Sequence, residues 1–120
     1  MLDFSSAYWM HTELPHLKYW IQRYRLFTNW SEGIRLDFES WFSVTPQIVA
    51  FHQAKRCIFH NIRMHKLPLL IIDAFTGSGS NSIEFSSIGA HVISCEINLS
   101  RMKMVSFSFL KFGLLSQLKF

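Results

Sequence analysis

LLIIDAFTGSGSNSIEF, residues 69–85, decides how this 120-residue chain folds. Four aliphatic residues run into an acid, Asp73, and then into a turn of small residues holding Gly77 and Gly79. A short apolar run bounded by turn residues is the pattern of a buried strand. The predicted strand covers 69–73, and the turn leads into a helix over about 81–88 with Gly89 at its C-terminal end. AHVISCEI, 90–97, reads as a second strand covered on both faces. LSRMKMVSFSFLKFG, 99–113, predicts a helix ending near Gly113, although 105–109 alternates as a strand would. This order, β, α, β, α, is one parallel crossover unit. Two strands alone leave one edge and part of one face uncovered.

Upstream, LPHLKYWIQRYRLF (14–27) spaces Leu17, Trp20, Ile21, Tyr24 and Phe27 at helical intervals, which predicts them inward. Lys18, Gln22 and Arg25 share another, solvated face. TNWSEG (28–33) ends that helix at Gly33. In WFSVTPQIVAFHQAKRCIFHNI (41–62), Thr45 is the expected N-cap and Pro46 the first helical residue. That helix is expected over 46–64, with Ile48, Phe51, Ile58 and Ile62 inward and His52 and His60 on the surface.

The net charge of +4 is not spread evenly. Residues 1–96 balance, and the excess falls on Arg101, Lys103, Lys111 and Lys119. The bulk field therefore says little about a nucleic-acid partner, and phosphate contacts must come from individually placed side chains. Cys57 and Cys95 form no CxxC pair, and no two histidines lie four apart, so neither a disulfide framework nor a metal site is expected. MLDFSSAYWMH lacks the basic start of a signal peptide, and Lys111 interrupts the apolar tail short of a membrane span, so a soluble chain is expected.

At the glycine turn, the chain can bend sharply and let a ligand approach the backbone. GxG is present, but Ser82 holds the place of the third glycine of the dinucleotide fingerprint. Asp73 and Glu96 each close a strand, Glu96 lying 19 positions after Gly77, where an acid can accept from both ribose hydroxyls. An acid at Asp73 repels pyrophosphate and attracts an ammonium group. The pair therefore favours S-adenosylmethionine, which joins an amino acid to an adenosine and carries no phosphate, over NAD. The plain alternative is a small-residue turn flanked by two solvated acids.

KYWIQRYRLFTNWSEGIRLDFESWFSVTP (18–46), IIDAFTGSGSNSIEF (71–85) and HVISCEIN (91–98) together resemble the trimethylguanosine synthases, a family of RNA cap guanine-N2 methyltransferases. The resemblance covers 18–98 and implies an α/β fold. This is a partial class I, Rossmann-like, S-adenosylmethionine-dependent methyltransferase fold in which N-terminal helices precede a βαβα unit. The implied organisation is a helical subdomain over 1–66 and the start of a truncated Rossmann-like methyltransferase domain over 67–120. The implied reaction moves methyl from S-adenosylmethionine to N2 of the 7-methylguanosine cap of snRNA and snoRNA. The implied location is nuclear, in the nucleolus or Cajal body, with the cytoplasm as a further site.

Residue by residue, Lys18 matches a family contact to the cap phosphates. Phe27, Ser43 and Thr45 match positions that close the cofactor pocket from the helical side. Asp73, Ala74, Phe75 and Gly77 match the first cofactor motif, and Glu96 the ribose acid, which is usually Asp. Departures are Thr76 for Cys, Ser80 for Gly, Asn98-Leu99 for Asp-Pro, and Phe107-Ser108 for Asn-Asn. The family's Pro-Pro-Trp segment, whose tryptophan stacks on the cationic base, has no counterpart, so no catalytic residue is identifiable. Trp20, Trp30 and Trp41 all precede the strands. Methyl transfer depends on holding donor and acceptor in line, so weak or no turnover is expected unless another chain supplies the missing half. Two alternatives stand beside this reading: a non-catalytic binding fragment docking through its basic, apolar tail to a protein or RNA, and a class I methyltransferase with another substrate.

Overall fold

The computed structural model describes residues 17–65, 68–111 and 118–119, with backbone alone for 111, 118 and 119. The first predicted helix is two: α1 (Leu17–Ile21) and α2 (Arg23–Leu26). At Gln22 the chain tightens, its N–H reaching back three residues to Tyr19 O at 3.0 Å. A three-residue turn advances each side chain further round the axis than an α-turn does. The inward face rotates accordingly. Trp20, Leu26 and Phe27 are buried, whereas Leu17, Ile21 and Tyr24, expected inside, are exposed.

A single 3-10 turn, Trp30–Glu32, closes on Gly33 at φ 95°. The short helix α3 (Ser40–Ser43) follows. These elements exist to bring three indoles together. Trp30 and Trp41 lie 4.9 Å apart between ring centroids with their planes tilted by 48°, and Trp20 meets Trp30 edge-on at 5.9 Å.

Helix α4 (Gln47–Arg63) begins one residue later than expected. Pro46, at ψ 140°, is itself the N-cap, and Thr45 makes no capping bond. Its buried side is Ala50 and Ala54, backed by half-buried Ile58; Ile48, Phe51 and Ile62 stand exposed. The reason lies in its neighbour. α4 runs against the serine-rich helix α5 (Ser80–Ser87), and small side chains let the two axes approach closely. Asn81 Nδ2 donates to Gln53 Oε1 across this contact at 2.5 Å.

The sheet contains β1 (Leu70–Asp73), β2 (His91–Ser94) and β3 (Leu118–Lys119), all parallel, in that spatial order. α5 links the first pair, and α6 (Leu99–Lys111) follows β2. The alternating stretch 105–109 is helical, while the expected helix end near Gly113 lies outside the described residues. The mixed helix-and-parallel-sheet architecture agrees with the expected βαβα unit and adds a third strand to it.

Right-handed crossovers that always step in one direction put their helices on one side of the sheet. Ile71 and Asp73 pair with Val92 and Ser94 on that covered side. Leu70 and Ile72 point the other way and are 61% and 65% exposed. β1 is thus half-covered, not buried on both faces.

One core joins the tryptophans to Leu69, Ile83, Ala90, Val92, Val105 and Phe109. Arg101 on α6 ties this core to the helical part, its Nε meeting Asp37 Oδ2 at 2.6 Å and its guanidinium also meeting Glu39. Burial of Asp37 opposes its ionisation, but bonds from Ser40 and Arg101 outweigh that and hold the carboxyl below its usual range.

Candidate functional site

The C-terminal tips of β1 and β2 are welded before any ligand arrives. Cys95 N–H donates to Asp73 O and Thr76 N–H to Cys95 O, both at 2.9 Å. The Thr76 hydroxyl donates to Asp73 O at 3.1 Å. The chain then bends through Gly77 at φ 57° and Gly79 at φ 90°, a region that side chains disfavour. A Cβ on Gly77 would meet nothing within 4 Å, whereas one on Gly79 would lie 3.0 Å from a Val105 methyl. Gly77 therefore faces open space, and Gly79 is required by packing.

Glu96 reaches back over this bend. Its Oε2 accepts from Gly77 N–H at 3.0 Å and its Oε1 from Asn98 N–H at 2.8 Å. Asp73 is held from beneath, its Oδ2 accepting from Ser82 Oγ at 2.6 Å. Ser82 Oγ in turn lies 2.8 Å from Ser94 Oγ, and both hydroxyls are buried. A carboxylate fixed by a short hydroxyl bond is oriented, and its remaining lone pairs stay available.

A cavity of about 230 Å³ opens beside the bend, lined by Ser43, Thr45, Phe75, Gly77, Ser80 and Asn81 among others, none of them charged. Ser80 Oγ donates to Thr45 O at 2.6 Å and clips the helical part to the glycine turn. Ser43, Thr45, Phe75 and Gly77 thus share one cavity, with Asp73 and Glu96 attached to its bend. Phe27 does not line it; its ring is 2% exposed within the tryptophan core. Lys18 is exposed on α1, its Nζ 4.9 Å from the Tyr19 ring, and Ala74 is exposed at the strand tip. Sequence reasoning missed the Ser82–Ser94 pair. The repeated serines of 78–87 were visible, but only the β1–β2 register puts Ser94 against Asp73.

Two carboxylates, with no cation among the described residues that line the cavity, give this site the character of an ammonium and hydroxyl receptor rather than a phosphate cradle. Ile97 and Phe75, almost wholly exposed, flank it with apolar surface. One turn along α5, Glu84 is buried and lines a larger cavity of about 790 Å³ with Tyr24, Arg25, Ile48 and Phe51. Burial pushes the Glu84 carboxyl up from its usual range, against weaker bonds from Gln47 and Ser87. Among the described residues no three His, Cys, Asp or Glu side chains converge as metal ligands, and no helix is long and apolar enough to cross a membrane.

Residues 69–119 match the family model described as RNA cap guanine-N2 methyltransferase. The chain is 42% identical over 97 residues to a trimethylguanosine synthase of Schizosaccharomyces pombe, covering 81% of this chain and 38% of the relative. It is 39% identical over 72 residues to a trimethylguanosine synthase of Saccharomyces cerevisiae, covering 58% of this chain and 21% of that relative. The chain thus spans well under half the length of these relatives. The first match is too long to lie within 69–119, so it takes in the helical part as well. Glycine bend, paired strand-tip acids and helical cover all fall within a likeness of this extent, and the likeness is to the RNA cap guanine-N2 methyltransferase family.

Proposed function

We propose that this chain forms the cofactor-binding part of a class I, Rossmann-like methyltransferase. In this reading 1–66 is a helical subdomain and 67–120 the start of the methyltransferase domain, the two sharing one core. The methyl donor is S-adenosylmethionine, which when bound supplies an electrophilic methyl on a sulfonium. The residues fit it. Asp73 suits the ammonium of the amino acid end, the bare Gly77 lets that end approach the backbone, and Glu96 accepts from ribose hydroxyls. Ile97 offers apolar surface to the base. The cavity of about 230 Å³ is smaller than the roughly 300–1,000 Å³ of whole-ligand sites, so it takes one end of the molecule.

The observation that carries the reading is the Glu96 carboxylate bonded to the Gly77 amide at 3.0 Å, which joins the second strand tip to the glycine bend. In the whole protein, the activity is methylation at N2 of the 7-methylguanosine cap of snRNA or snoRNA, in the nucleus, with Lys18 meeting cap phosphates and Phe27 and Ala74 shaping the pocket indirectly. Calorimetric titration tests the cofactor claim: S-adenosylmethionine and S-adenosylhomocysteine bind the chain, and Glu96→Gln weakens both at least tenfold. A folded chain that gives no heat with either overturns it. Transfer of labelled methyl to a cap analogue tests the reaction. The exposed Leu70 and Ile72 favour a second reading, a non-catalytic binding fragment. Nucleoside binding without transfer, even to a capped RNA, supports that one.

A further inference from the structure

The fold sorts charges that the sequence leaves balanced. Residues 17–31 carry Lys18, Arg23 and Arg25, residues 47–63 carry Lys55, Arg56 and Arg63, and neither stretch holds an acid. α2 packs on α4, so the two acid-free segments become neighbours. Of the three acids between them in sequence, Asp37 and Glu39 are paired with Arg101, and Glu32 does not line the cavity that separates the two segments. Between the two segments runs the cavity of about 790 Å³, with Gln22, Tyr24, Arg25, Ile48 and Phe51 on its walls and buried Glu84 at its base.

Tyr24, Ile48 and Phe51 are among the apolar positions that periodicity assigns to the core and the fold leaves exposed. Both rings already carry a cation: Arg23 Cζ lies 4.8 Å from the Tyr24 centroid and Lys55 Nζ 5.0 Å from that of Phe51. A cation over one ring face leaves the other face for a planar group. Glu84 is the one acid among the described residues that line the groove; it lies buried, and burial raises its carboxyl above the usual range.

We infer that this groove is a docking track for single-stranded RNA, with Arg25 and Lys55 meeting phosphates and Tyr24 and Phe51 stacking on bases. Cations beside aromatic rings are the means by which proteins hold single strands without reading sequence. An acidic peptide would use the cations and leave the rings idle. The track lies apart from the strand-tip site and rests on the capped-RNA reading only for the identity of the nucleic acid. It gives the body of a substrate RNA a seat on the helical part.

Fluorescence anisotropy with an uncapped, labelled 12-nucleotide uridine RNA and no cofactor is the test. The parent chain binds; Arg25→Glu with Lys55→Glu weakens binding at least tenfold. The paired neutral change, Arg25→Ala with Lys55→Ala, lowers the salt slope by about 1.4, at roughly 0.7 per phosphate contact. Tyr24→Ala and Phe51→Ala each weaken binding about fivefold or more. Lys103→Glu, outside the groove, repeats the charge change of one substitution and has little effect. Circular dichroism verifies that each variant is folded. Binding that responds to Lys103→Glu as strongly as to Lys55→Glu, or that ignores the aromatic substitutions, overturns the track. So does an acidic peptide of equal charge that binds as tightly as the RNA. With neither cap nor cofactor in the assay, failure here leaves the methyltransferase reading standing, and failure of the nucleoside titration leaves the track standing.

Discussion

Asp73, Ser82 and Ser94 form a chain in which each hydroxyl answers the next group. Removing a buried partner costs more than the bond was worth, because the survivor keeps its desolvation penalty. Ser82→Ala orphans both neighbours and is expected to cost about 1–3 kcal/mol in urea unfolding. The double change Ser82→Ala, Ser94→Ala should cost less than the sum of the two single changes. Glu84 is the opposite case, an acid that the fold holds too dry. Above its unfolded pKa, near 4.5, the folded chain keeps a proton that the unfolded chain has released. Stability therefore falls as pH rises from there through the raised folded value. Glu84→Gln, neutral throughout, is expected to melt higher than the parent at pH 7. That advantage should shrink towards pH 4 in paired thermal scans.

At the scale of elements, the two glycines of one bend have separable roles. Gly79→Ala must push Val105 aside as well as hold a left-handed backbone, and should lose well over the ~1–2 kcal/mol that such a backbone costs. Gly77→Ala incurs the backbone cost alone, but its methyl stands in the cavity, so nucleoside binding is lost while most of the stability remains. Both measurements use the same urea and calorimetry series. The first two strands, the crossover helix and the acids at the strand tips were legible because a short apolar run bounded by turn residues and a GxG bend are local signals; the third strand was not foreseen. The faces of α1, α2 and α4 were not. A tightened turn at Gln22 rotated one stripe, and on α4, which packs on α5, the buried positions are Ala50 and Ala54 in place of larger residues. Periodicity ranks residues by apolarity, whereas a close helix pair selects for smallness. Of the candidate site, the glycine bend and its two strand-tip acids could be read directly, and the family pattern pointed to Ser43 and Thr45, which the fold sets beside that bend. Phe27 shows the limit: a pattern position names a residue near the pocket, and only the packing shows its ring turned into the core.

Across the whole molecule, helices lie on one side of a three-stranded parallel sheet, and Leu70 and Ile72 lie bare on the other. Apolar surface beside an open strand edge invites association. Sedimentation is expected to show concentration-dependent oligomers of the parent chain. Leu70→Lys with Ile72→Lys should yield a monomer with its unfolding midpoint little changed, since neither side chain touches the core. The molecule is also optically lopsided. Every tryptophan precedes residue 42, and the three described are packed against one another in the helical part. Their emission reports that part alone, while far-ultraviolet dichroism sums both. If the single core makes the chain one cooperative unit, the two signals trace superimposable melting curves. Two separate curves would show that the strands can let go while the indoles stay dark to water.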